Sequence, residues 1–175
     1  AGVGKSDKEI YNALMLGIEA FNCESLQEIY VINEMAHRYG RKANVSVRIN
    51  PDIDAHTHKY VTTGLYENKF GISQHEFEKL IEIIGKSEHI NFIGLHFHIG
   101  SQITRVDEVF ALECKRVNEI VAYFERNGLK VDNINLGGGL GVDYDDPDGS
   151  PIADFGTWFR TISENIIRRP DQKVH

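Results

Sequence analysis

The sequence predicts an α/β fold of about four to five strand–helix units around a parallel sheet. Three features predict it. Ser-x-x-Glu boxes recur at Ser6-Asp7-Lys8-Glu9, Ser25-Leu26-Gln27-Glu28 and Ser73-Gln74-His75-Glu76, the pattern in which Ser and Glu side chains satisfy free N–H groups at a helix start. Apolar residues at helical spacing follow them. Short apolar runs rich in β-branched residues alternate with these helices, and strand–helix alternation implies right-handed βαβ units and a parallel sheet.

The elements follow in order. Ser6 starts the first helix. Ala20-Phe21-Asn22 is a short strand. Ser25 caps a helix whose Leu26, Ile29, Tyr30, Ile32 and Ala36 share a face, and Gly40 sits where its C-cap belongs. Val45-Ser46-Val47-Arg48-Ile49 is the next strand. A long polar segment, 51–68, leads to Lys69-Phe70-Gly71. A helix starts at Ser73, with Gly85 as its expected C-cap. Phe92 to His98 is a strand, 106–127 a helix ended by Gly128, Val131 to Leu136 a strand and 154–168 a helix. A further strand begins near Val174.

At 175 residues and 41% apolar composition, the chain fits one domain with a sizeable core. Nineteen Lys and Arg face 26 Asp and Glu, a net charge of −7, and no basic stripe marks a nucleic-acid partner. No apolar run approaches the roughly 20 residues that span a membrane. The first residues carry no signal peptide, and two cysteines, Cys23 and Cys114, imply no disulfide framework. The expectation is a cytoplasmic chain with no nucleic-acid or membrane partner. A complete (β/α)₈ barrel has eight strands and typically about 250 residues. The chain is therefore expected to be an incomplete barrel domain over 1–175, or else an open doubly wound sheet.

Chemistry is expected just after the strands, where barrels and open α/β sheets both place it. Leu136-Gly137-Gly138-Gly139-Leu140-Gly141 is such a place. Its glycines let backbone N–H groups turn toward an anion such as phosphate, although a tight turn alone would also use them. It is not a dinucleotide fingerprint, because Val142 stands where the third glycine is needed. In His96-Phe97-His98-Ile99-Gly100-Ser101-Gln102, the two histidines share a face. They read as imidazole at a barrel mouth near an anion-holding Ser101, as zinc ligands of a barrel hydrolase, or as a structural pair. Arg48, at a strand end, needs a counter-charge, either a protein carboxylate or an anionic cofactor oxygen. Asp52, Asp54, His56 and His58 in the long connection match no ligand spacing, so no metal site is expected.

Three further features read as structural. Gly4-Lys5-Ser6 resembles the end of a P-loop, but its first glycine would precede Ala1. Lys42-Ala43-Asn44 precedes its strand and so lies at the end opposite the chemistry. Cys23 follows a strand, but nothing nearby marks it as a nucleophile.

Together, Gly2-Val3-Gly4-Lys5-Ser6, Phe21-Asn22-Cys23-Glu24-Ser25, Arg48-Ile49-Asn50-Pro51, Thr62-Thr63-Gly64-Leu65, Lys69-Phe70-Gly71-Ile72, His96–Gln102 and Leu136–Gly141 span nearly the whole chain. In that order they resemble the barrel domain of the diaminopimelate decarboxylase family. This family lies within the fold-type III enzymes of pyridoxal 5′-phosphate (PLP), with ornithine decarboxylase and alanine racemase. The resemblance implies a partial (β/α)₈ barrel and a parent enzyme that decarboxylates meso-diaminopimelate to L-lysine as a homodimer. His98 would stack on the cofactor ring. Ser101, Gly137, Gly138 and Gly139 would hold its phosphate, Arg48 would lie near the ring, and Lys69 would line the active-site end.

In that family the Schiff-base lysine falls before Ala1. The carboxylate that pairs with the pyridine nitrogen falls after the strand near Val174, and a carboxy-terminal β-domain follows. The expectation is that this chain alone is inactive. The alternatives are decarboxylation of ornithine, arginine or carboxynorspermidine, a non-catalytic PLP carrier, and a zinc hydrolase using His96 and His98.

Overall fold

The computed structural model describes residues 1–53, 70–146 and 154–175. Five strand–helix units alternate through it. They run α1 (Asp7–Leu16), β1 (Phe21–Cys23), α2 (Leu26–Arg38), β2 (Ala43–Arg48), α3 (Phe77–Lys86), β3 (Ile90–His96), α4 (Val106–Arg126), β4 (Asn133–Asn135), α5 (Phe155–Asn165) and β5 (Lys173–Val174). The strands form one sheet in the order β1-β2-β3-β4-β5, and every neighbouring pair is parallel. Sequential order with helices between the strands is the winding of a (β/α)₈ barrel, not of an open doubly wound sheet, whose strand order reverses.

Local chemistry sets the helix ends. Ser6 Oγ accepts from Glu9 N–H, and Glu9 Oε2 accepts from Ser6 N–H at 2.8 Å, a complete capping box. Ser25 makes only half of one. Its Oγ accepts from Glu28 N–H, but Glu28 passes the cap and takes Glu24 N–H at 2.7 Å. Gly85 is not a C-cap: α3 runs through it to Lys86, with Ser87 as the cap. The last helix stops at Asn165, three residues early, because Asn118 on α4 captures the outgoing chain through Ile167 N–H at 2.9 Å.

One face of the sheet carries Phe21, Cys23, Val45, Val47, Ile49, Leu95, Phe97, Ile134 and Leu136, all buried against helix residues such as Ile29, Ile32, Leu80, Val117 and Phe124. Burial of each such side chain stabilises the fold by about 1.5–3 kcal/mol. Alternation puts Asn22, Ser46, Arg48, His96 and Asn135 on the other face, which in a closed barrel is the interior. A bulge maintains this division. Val45 pairs with Phe92 and Ser46 with Gly94, so β3 carries one extra residue and both Phe92 and Leu95 reach the helices. Gly94 is required there, since a Cβ would overlap the Asn133 carbonyl.

A second, smaller core lies beneath the loops at the strands' C-terminal ends. Ile53, Ile99, Ile103, Val106, Val109 and Phe110 pack together with Leu140 and Trp158. This cluster fixes the loop after β3 against the loop after β4.

Candidate functional site

At the C-terminal ends of β1, β2 and β3, a cavity of about 370 Å³ is lined by Glu24, Arg48, Phe70, His96, His98 and the segment Ala1–Val3. Arg48 Nη1 donates to Glu24 Oε2 at 3.0 Å, with both side chains about one-tenth exposed. The guanidinium also lies 5.5 Å from the Phe70 ring centroid, within cation–π range. The counter-charge that Arg48 requires is thus a carboxylate of the chain itself.

His96 and His98 line this cavity together, as their spacing predicts. Burial, then the charge on Arg48, pushes the His96 imidazole down to about 4, so the ring is neutral near pH 7. Its Nδ1 is buried and has no partner among the described residues, an orphan that a bound group could satisfy. Among the described residues no group of three or more His, Cys, Asp or Glu could hold a metal ion.

Beside the histidines, the loops after β3 and β4 are hydrogen-bonded together. Ile103 N–H donates to the Gly139 carbonyl at 2.8 Å, and Gly141 N–H donates to the Ile103 carbonyl at 2.9 Å. The Gln102 amide clasps Val142 in both directions, at 2.9 and 2.8 Å. Gly137 and Gly139 have φ of +74° and +107°, and a Cβ on either would overlap a carbonyl oxygen, of Phe97 or of Gly100. These two glycines let the loops pack. Gly138 is different, because its Cβ direction meets open space. Ser101 is exposed on the loop after β3, directly following the Gly100 that backs Gly139. The structure therefore brings Ser101 and the triple glycine to one place, next to His98.

The residues read as structural bear that out. Lys5 is not free to meet a phosphate, since its Nζ donates to the carbonyls of Gly2 and Asn22 and to Glu28 Oε1. Lys42 immediately precedes β2, at the far end of the sheet. Cys23 is fully buried, and burial pushes its thiol well up. Lys69, Asp54, His56, His58 and the stretch Thr62–Leu65 lie outside the described residues.

Glu24, Lys5, Glu28 and Phe70 were not legible as parts of one site. Strand register was the missing signal. Cys23 pairs with Val47, so the residue after each strand partner, Glu24 and Arg48, must stand side by side.

Fold and site together define a barrel-type α/β domain with a cavity at the strands' C-terminal ends and a glycine turn suited to an anion. The chain belongs to the pyridoxal-dependent decarboxylases: the model of their pyridoxal binding domain matches residues 1–174. The cofactor of this family is pyridoxal phosphate. A diaminopimelate decarboxylase of Bacteroides thetaiotaomicron is 48% identical over 175 residues, all of this chain and 45% of the relative. That of Haemophilus influenzae is 41% identical, covering 99% of this chain and 41% of the relative. The crystal structure of the Helicobacter pylori diaminopimelate decarboxylase complexed with L-lysine matches at a TM-score of 0.77 and 35% identity, covering 99% of this chain and 43% of that one. A Paramecium bursaria Chlorella virus arginine decarboxylase, at 24% identity and a TM-score of 0.68, shares the fold, over 98% of this chain and 42% of that one. The chain spans under half the length of the curated relatives it matches.

The residues present fit pyridoxal phosphate. An open glycine backbone lies beside a serine, a histidine lining the cavity has an orphaned ring nitrogen, and an arginine is already neutralised by the chain.

Proposed function

We propose that this chain forms the cofactor-binding part of a decarboxylase that converts meso-diaminopimelate to L-lysine and carbon dioxide. The observation that carries this reading is the convergence of Arg48, His96 and His98 with the joined loops of Ser101 and Gly137–Gly139 at one end of the sheet. Bound there, PLP supplies the electron sink for the pair left behind when the substrate carboxylate departs. The chain's own residues bind and orient. The Ser101 hydroxyl and the backbone N–H groups of Gly138 and Gly139 hold the phosphate, with Gly138 the less obstructed, while Gly137, whose N–H donates to Asn135 Oδ1 at 2.8 Å, shapes the turn. His98 is the imidazole for the cofactor ring. A neutral His96 adds no charge beside it.

Arg48, neutralised by Glu24, orders the ring's surroundings without competing for the phosphate. The relatives' names support diaminopimelate over ornithine, arginine or carboxynorspermidine.

We place the working enzyme in the cytoplasm as a homodimer. No helix of the described residues is long and apolar enough to cross a membrane.

Carbon dioxide release from each of the four amino acids by the whole protein, with PLP added, tests the reading. Turnover of meso-diaminopimelate well above the others supports it. Turnover of ornithine, arginine or carboxynorspermidine instead would overturn the substrate, and none with any of them would overturn the activity.

A further inference from the structure

We propose that Lys5 and Glu28 are positioning residues, which fix the end of β1 so that Glu24 holds Arg48 toward the cofactor. The proposal rests on the cofactor reading above.

Neither residue lines the cavity, yet each is only about one-tenth exposed. Lys5 Nζ donates to the Gly2 carbonyl at 2.9 Å, the Asn22 carbonyl at 2.7 Å and Glu28 Oε1 at 2.9 Å. An ammonium has three protons, so it is saturated. It rivets the segment before α1 to the last residues of β1. The Glu28 carboxylate is likewise divided. Oε1 takes Lys5, and Oε2 takes Glu24 N–H at 2.7 Å.

Glu24 is thereby held at its backbone by Glu28, while its side chain holds Arg48. An unbroken chain of contacts, none longer than 3.0 Å, runs Gly2–Lys5–Glu28–Glu24–Arg48. Both of its ends, Gly2 and Arg48, line the same cavity.

Stability alone does not require this arrangement. A buried ion pair is often no better for stability than apolar residues of similar size. What the pair adds is direction. Charge-assisted hydrogen bonds fix the Glu24 backbone at one point and the Asn22 carbonyl at another, where packing would leave the strand end free to shift.

The test uses PLP titrations of the apo form of the whole protein, followed by the cofactor's absorbance, together with melting temperatures. Glu28→Gln offers one acceptor oxygen where the carboxylate offered two. It should weaken PLP binding roughly five- to twenty-fold at a temperature where the apo-protein is fully folded, in the range of coupling through a shared network. Adding Glu28→Gln to Arg48→Met should weaken binding no further than Arg48→Met alone, because both act through one group. Lys5→Met with Glu28→Leu should melt at or above the wild-type temperature and still bind PLP weakly, an outcome that a merely structural pair would not give.

Wild-type affinity in Glu28→Gln, additive losses in the double variant, or affinity recovered along with stability in the apolar pair would each overturn the proposal. If Arg48→Met binds PLP normally, the assignment of Arg48 to the cofactor site fails, and the positioning role fails with it. If Arg48→Met binds weakly while Glu28→Gln does not, only the positioning role fails.

Discussion

Glu24 and Arg48 follow paired residues on adjacent parallel strands, and their side chains meet at 3.0 Å across the gap between the strand ends. The contact neutralises an arginine that would otherwise stand charged and alone in a half-closed cavity. It also leaves the remaining guanidinium nitrogens and the face toward Phe70 to shape that cavity.

Breaking the pair should therefore affect both stability and binding. Arg48→Met leaves a buried carboxylate uncompensated and is expected to cost about 3 kcal/mol. Glu24→Gln keeps an acceptor for Arg48 and should cost nearer ~1 kcal/mol, the net value of a typical hydrogen bond. Urea midpoints of the two variants check the order. A loss in Glu24→Gln as large as that in Arg48→Met would mean that an amide cannot stand in for the carboxylate and that its charge carries the contact.

The triple glycine separates packing from binding. Gly139→Ala would press a methyl group into the Gly100 carbonyl at a φ of +107°. It should destabilise by several kcal/mol, the range for strain and overpacking together. Gly138→Ala meets open space and should change stability by less than about 1 kcal/mol. If the glycine turn holds phosphate, Gly138→Ala nevertheless weakens PLP binding severalfold. An unchanged PLP titration for that variant would remove Gly138 from the proposed phosphate site.

The two cysteines should be inert in the folded protein. Both are buried, and burial pushes Cys23 well up and Cys114 to about 12. Since the thiolate is the reactive form, a thiol-specific reagent in mildly alkaline buffer should label neither cysteine until denaturant is added. Rapid labelling of Cys23 without denaturant would revive its reading as a reactive residue beside the site.

The unit count and the helix starts at Ser6 and Ser25 were legible in the sequence because capping chemistry is local, and Ser73 likewise caps the 3₁₀ turn Gln74–Glu76 that leads into α3. His96 and His98 sharing a face was legible because alternation is local too. What escaped was set by neighbours. Gly85 looks like a helix end, but packing of Ile83 and Ile84 carries α3 past it. Arg48 announced a need for a counter-charge and not its source, because register between β1 and β2 is a tertiary property. The bulge in β3 was hidden for the same reason: only contact with Asn133 shows why residue 94 must be glycine.

Glu113 gives the sharpest dependence on pH. It is fully buried in α4, neither carboxylate oxygen has a hydrogen-bond partner among the described residues, and burial pushes it up to about 8. Between its ordinary range near 4.5 and pH 8, the folded protein holds this proton and the unfolded chain does not. The unfolded state then binds fewer protons, so Glu113 makes stability fall as pH rises through that window, by about 1.4 kcal/mol per pH unit. His96 acts in the opposite sense. Its folded value of about 4 lies below the ordinary 6.5, so its contribution is present above 6.5 and lost as pH falls toward 4. The two effects oppose each other between about 4.5 and 6.5, and Glu113 acts without that opposition between 6.5 and 8. Denaturation of Glu113→Gln should show a much flatter stability profile from pH 6.5 to 8 and a gain over wild type at pH 8. An unaltered slope in that variant would mean that Glu113 is ionised in the folded protein.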